Sequence, residues 1–147
     1  MVAVTELAPP PADVRADLDR LASALDGVVP AKTTVNLLVA TWNLRAFAGV
    51  TPKWRPGPAD SPRRAWDAVA YIAEIVSRFD VVALQEVRRD TSALSRLLEL
   101  LGPAWRVIAS DVTERRRGQR RAPCVRIRLE PAAAVGVGGR DRASSDR

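Results

Sequence analysis

The chain has 147 residues, 47% of them hydrophobic, with one cysteine, no histidine, and 23 basic against 17 acidic side chains for a net charge of +6. That length suits one domain; the lone Cys124 excludes an internal disulfide, and the lack of histidine excludes Ser/His/Asp, Cys/His and histidine–zinc chemistry built from these residues. No stretch approaches the roughly 20 apolar residues of a membrane span and the N-terminus lacks a basic-then-apolar signal pattern, so a cytoplasmic protein is expected.

Taken in order, residues 1–11 read as a Pro-rich, disordered leader. Over 13–25, Val14, Leu18, Leu21 and Leu25 fall at helical spacing, Asp13 and Asp17 suit the positive end of the helix dipole, and Gly27 and Pro30 stop the helix. Residues 35–42 (VNLLVATW) form a short apolar run rich in β-branched residues, which predicts a buried strand. Residues 46–61 are too rich in proline and glycine for a regular element. Ser61-Pro62 predicts a helix start, Ser as cap and Pro at the first position, with Trp66, Val69, Ile72, Ala73 and Val76 on one apolar face to about Ser77. A second strand is predicted over 81–85 (VVALQ). A third helix follows, capped by Asp90 or Thr91, carrying Leu94, Leu97, Leu98 and Leu101 and ending at Gly102-Pro103. Residues 105–109 (WRVIA) are a third strand candidate. Helices alternating with strands predict an α/β sheet with helices packed on it.

The first strand runs into Asn43 and the second into Gln85-Glu86. A right-handed strand–helix–strand crossover makes the two strands parallel. If they are neighbours, Asn43 and Glu86 emerge at the same carboxyl rim, where open α/β sheets bind ligands. A carboxylate and an amide oxygen are hard ligands, suited to Mg²⁺ rather than zinc. The bland alternatives are a solvated strand end for Glu86 and a turn residue for Asn43. Arg45, Arg55, Arg63, Arg64, Arg88 and Arg89 are candidates for phosphate contact, with surface solvation as the commoner role. Trp42 and Trp54 are candidates for base stacking, with packing as the commoner role.

The segments ATWNLRAF, RFDVVALQEVRRD and LLGPAWRVIASDVTE together resemble the N-terminal part of the endonuclease/exonuclease/phosphatase (DNase I-like) superfamily, over about residues 33–114. The resemblance implies an incomplete two-sheet α/β sandwich and a Mg²⁺-dependent phosphodiester hydrolase. It implies Glu86 as the metal ligand, Asn43 assisting at the metal or at a phosphate oxygen, and Gln85 supporting Glu86. The implied substrate is a phosphodiester, with DNA among the family's choices. The family's pattern runs on for roughly another 130 residues, including a histidine–aspartate pair that works on the attacking water. A chain without histidine is therefore expected to be a truncated, catalytically incomplete member.

Residues 115–147 change character. They hold ten arginines against Glu130, Asp141 and Asp146, whereas 1–114 hold 13 basic and 14 acidic residues, so the whole positive excess lies here. This stretch reads as an Arg-rich, low-complexity, disordered tail without an aromatic residue. Two origins stay open. One is a frameshift near codon 115: codons chosen for 118–131 and read one base later give GNGERLAFVYDSSR, a glycine turn followed by an apolar strand. The other is a genuine basic arm that grips nucleic acid non-specifically through its phosphates.

Overall fold

The computed structural model describes residues 8–113 and 124–131. It is a mixed α/β fold, and among the described residues there are three helices and four strands. In chain order these are α1 (Ala12–Asp26), β1 (Val39–Phe47), α2 (Trp66–Ser77), β2 (Val81–Val87), α3 (Ser92–Leu101), β3 (Trp105–Thr113) and β4 (Cys124–Pro131). The strands form one sheet in the order β1-β2-β4-β3. β1 and β2 run parallel; β4 is antiparallel to both its neighbours. No helix among the described residues is long and apolar enough to cross a membrane.

The sheet's two faces differ because side chains alternate along a strand. Leu44 and Phe47 of β1 and Val82, Leu84 and Val87 of β2 are buried against Val69, Ile72, Ala73 and Val76 of α2 and Ala93, Leu94 and Leu97 of α3. These helical residues recur at three- and four-residue spacing, the period that puts them on one face. α1 packs on α2, with Val14 fully buried. The other face holds Val39, Thr41 and Asn43, all exposed, opposite Val81, Ala83 and Gln85.

Several expected boundaries move, each for a reason visible in the backbone pairing. The strand predicted over 35–42 begins at Val39, because its ladder with β2 starts at the Val39/Val81 pair, just after the Asp80 and Val81 N–H groups meet the Leu38 carbonyl, and no earlier pair forms among the described residues. Val35 is 92% exposed, so the apolar run starts outside the core. At the other end β1 continues to Phe47, which pairs with Val87. The helix expected from Ser61 starts at Trp66, with Ala65 in the capping position and no side-chain cap. Residues before it are drawn instead onto the loop: the Thr51 hydroxyl donates to Pro62 O at 2.6 Å and the Thr51 N–H to Arg64 O at 2.8 Å. Thr91 caps α3 by position, while Asp90 Oδ1 accepts the Ser92 N–H at 3.0 Å.

The expected tail contains a strand where it is described, and the expected leader, without regular structure at 8–11, makes two hydrogen bonds. Ala8 accepts a hydrogen bond from the Trp54 indole at 3.0 Å, and Pro10 accepts one from Arg15 at 3.0 Å. Within the expected low-complexity tail, Cys124–Pro131 forms β4 and lies between β2 and β3. β3 accordingly runs to Thr113 rather than stopping at Ala109, since Thr113 pairs with Cys124. The overlooked signal was the alternation of Val125, Ile127 and Leu129 with Arg126, Arg128 and Glu130, a period of two. The rest of the expected leader and tail lies outside the described residues.

Candidate metal-binding rim

The carboxyl ends of β1 and β2 form the upper rim of the sheet. Parallel pairing sets Asn43 opposite Gln85, so Asn43 and Glu86 leave the sheet side by side. Asn43 Nδ2 donates to Glu86 Oε1 at 3.0 Å, and the Ala46 N–H donates to Glu86 Oε2 at 3.3 Å. Asn43 Oδ1 accepts the Arg45 N–H at 2.9 Å. These contacts fix the amide's orientation, since a backbone N–H needs the oxygen and a carboxylate needs the NH₂ group.

The backbone here is irregular. Between the Asn43/Gln85 and Phe47/Val87 pairs, β1 spends Leu44, Arg45 and Ala46 where β2 spends only Glu86, an enlarged bulge. Arg45 (φ 49°), Ala46 (φ 58°) and Glu86 (φ 60°) are the only non-glycine residues with positive φ among the described residues. Each such conformation costs on the order of 1–3 kcal/mol and persists only when its surroundings over-determine it. Glu86 carries the carboxylate, the Ala46 N–H reaches it, and the Arg45 N–H holds the Asn43 amide that donates to it.

The other residues singled out from the sequence sort by their contacts. Gln85 Nε2 donates to Thr41 Oγ1 at 2.9 Å, while Asn43 and Ala46 donate to Glu86. Arg55 grips Asp13, Asp17 and Asp67 at 2.8–3.2 Å and ties the loop to α1 and α2. Its hydrogen bonds hold Asp13 and Asp17 below the ordinary carboxylate range. Trp42 packs on the core and Trp54 meets Trp66 edge-on at 5.9 Å, the packing roles. Arg45, Arg63, Arg88 and Arg89 are exposed, and none of the ion pairs among the described residues uses them. Gly49 sits close to the start of α3: a Cβ there would stand 2.8 Å from Asp90 Oδ2. The Ser92 backbone N–H keeps the Asp90 carboxyl below its usual range.

Sequence reasoning missed two parts of this rim. The Ala46 N–H is a backbone group and leaves no residue-type signal. Arg64 directs its guanidinium to backbone carbonyls, at 3.0 Å from Leu44 O and 3.3 Å from Ala46 O, rather than to solvent. Burial lowers the Arg64 pKa from its ordinary value.

As a cation site the rim supplies one well-oriented carboxylate. Mg²⁺ is commonly held by one or two carboxylates, with water and substrate phosphate filling its octahedron; Glu86 meets the lower bound of that donor set. Asn43 donates its NH₂ group to Glu86, and its Oδ1 accepts the Arg45 N–H with one of two lone pairs. Among the described residues no group of three or more Asp, Glu, His or Cys side chains is arranged to hold a metal ion. Comparison with protein-family models and with curated proteins gave no match.

Proposed function

We propose that this chain carries the metal-ligating rim of a Mg²⁺-dependent phosphodiester hydrolase of the endonuclease/exonuclease/phosphatase type, and that these residues alone do not turn over substrate. The observation that carries the reading is the 3.0 Å hydrogen bond between Asn43 and Glu86 across adjacent parallel strands, at the rim where the backbone irregularities converge. Sites of binding and catalysis concentrate such conformations.

Glu86 would hold the Mg²⁺, while Asn43 and the Ala46 N–H keep its carboxylate aimed. When bound, Mg²⁺ supplies Lewis acidity to a phosphate oxygen and stabilises the departing alkoxide. The exposed Arg45 and Arg88 flank Asn43 and Glu86 in the chain, where cationic side chains suit an anionic diester. No histidine is present to take a proton from water. The family's second sheet would pack on the open face, where Val39 (60% exposed) and Ile108 (44%) are apolar residues without cover.

The test is Mn²⁺ titration of the ¹⁵N-labelled full chain, with and without the p-nitrophenyl diester of thymidine 5′-phosphate. We expect line broadening at Asn43, Arg45, Ala46 and Glu86, stronger with the diester, abolished in Glu86→Gln, and no release of p-nitrophenol. Equal broadening in Glu86→Gln would overturn the reading. Oligonucleotide binding that ignores Mg²⁺ and Glu86→Gln, yet disappears when Arg115, Arg116, Arg117, Arg120 and Arg121 become glutamine, would favour the basic-arm alternative. Those substitutions, unlike deletion of 115–147, leave β4 in place.

A further inference from the structure

We infer that Arg64 is a positioning residue for Glu86, acting through the backbone of the β1 bulge. The bulge alternates its polar groups. The Leu44 and Ala46 carbonyls accept from Arg64 at 3.0 and 3.3 Å, while the Arg45 and Ala46 N–H groups serve Asn43 Oδ1 at 2.9 Å and Glu86 Oε2 at 3.3 Å. Leu44 O shares a peptide plane with the Arg45 N–H, and Ala46 O lies in the plane after the Ala46 N–H, so holding the two carbonyls fixes the first N–H and brackets the second. The guanidinium also lies over the Phe47 ring, 5.1 Å from its centroid, and Phe47 is fully buried. The clamp is thus anchored in the core on one side and in the strained turn on the other.

Only arginine suits this place. Its planar fork reaches two acceptors at once, whereas a lysine ammonium is a point donor on a flexible stem. Arg64 is half-buried, and none of the ion pairs among the described residues involves it, so its charge faces carbonyl dipoles and an aromatic face. Its position explains the irregular loop between β1 and α2. The Thr51 hydroxyl donates to Pro62 O, the Thr51 N–H donates to Arg64 O, and Thr51 forms a parallel bridge with Ala65. The loop therefore returns Arg64 to the strand that it left. The consequence for metal binding rests on the phosphoesterase reading above; the clamp itself does not.

Arg64→Met and Arg64→Lys in the full chain test this by NMR. In Arg64→Met we expect the Arg45 and Ala46 amides and the Glu86 carboxyl carbon to move from their wild-type positions, and Mn²⁺ binding at Glu86 to weaken by about 10–100-fold, the usual effect of losing a partner that orients a metal ligand. Arg64→Lys, keeping one contact, should fall between. Wild-type resonances for Arg45, Ala46 and Glu86 in a folded Arg64→Met protein would overturn the inference. If Arg64→Met does not fold, Arg64→Lys decides by the same resonances. A merely structural role would lower the melting temperature of both variants while leaving the Glu86 carboxyl carbon where it was. If the wild-type chain binds no Mn²⁺, the phosphoesterase reading fails, and the amide and carboxyl shifts still decide the role of Arg64.

Discussion

At the lower end of the β1–β2 pair, Asp80 accepts the Leu38 N–H at 2.8 Å and meets the Lys32 ammonium at 3.6 Å, and the strands enter in register from Val39 and Val81. At the upper end, Glu86 accepts from Asn43 and Ala46, and the register breaks into a bulge with three positive-φ residues. Each end fixes a carboxylate between the same two strands. Below, a cation offsets its charge and the backbone stays regular. Above, the N–H groups of Asn43 and Ala46 donate to the carboxylate, and the backbone accepts strain to deliver the second of them. The lower end is regular in backbone; the upper end gives up that regularity around an aimed carboxylate, which is what the proposed metal site needs.

The largest expected effect that sharpens this contrast is at Phe47, where the strained turn meets the core. Phe47→Ala should cost about 3–5 kcal/mol in urea unfolding, since the ring is fully buried and also carries Arg64. A loss under about 1 kcal/mol would mean that the upper end is not anchored there. Asp80→Ala comes next, at about 1–2 kcal/mol, because it removes the acceptor for Leu38 N–H and a partly exposed ion pair.

A pair of glycine substitutions then tests the sign. Ala46→Gly relieves a positive φ and should stabilise by about 0.5–1 kcal/mol, while Ala40→Gly in the regular part of β1 should destabilise by a similar amount. Equal signs would remove the distinction between the two ends.

The smallest effect concerns the Arg55 clasp between α1 and the loop. Asp13 and Asp17 have lowered pKa values in the folded chain, first through their hydrogen bonds to Arg55. A lowered carboxylate pKa contributes stability that is complete above its ordinary value of 3.8 and is lost as pH falls through the lowered one. The Trp54 indole N–H resonance, bonded to Ala8 O, should therefore stay constant down to about pH 4 and move only below it. Movement between pH 5 and 7 would contradict the assignment.

Much of this architecture was legible in the sequence, because it rests on periodicity. The apolar faces of α1, α2 and α3 follow helical spacing, and 81–85 is a plain apolar run. The adjacency of Asn43 and Glu86 followed from one argument, that neighbouring parallel strands share a carboxyl rim. What failed were features set by partners distant in the chain. The start of β1 depends on where Val81 lies, and the start of α2 on Thr51 capturing the residues before it. Ser61-Pro62 is a sound local helix signal overridden by those tertiary hydrogen bonds. β4 was missed although its alternation was present, because arginine-rich composition masked a two-residue period. The positive φ of Glu86 and the clamp of Arg64 have no sequence signature, since neither a bulge nor a folded-back loop is encoded by local residue type.

The most direct measurement is an anomalous difference map from a crystal of the full chain grown with Mn²⁺. The account predicts a single strong peak within about 2.0–2.3 Å of a Glu86 carboxylate oxygen, with Asn43 still bonded to the other oxygen and Arg64 still closed on Leu44 O and Ala46 O. A map with no density at Glu86, or with Mn²⁺ on other carboxylates while Glu86 stays closed on Asn43 and Ala46, would contradict it.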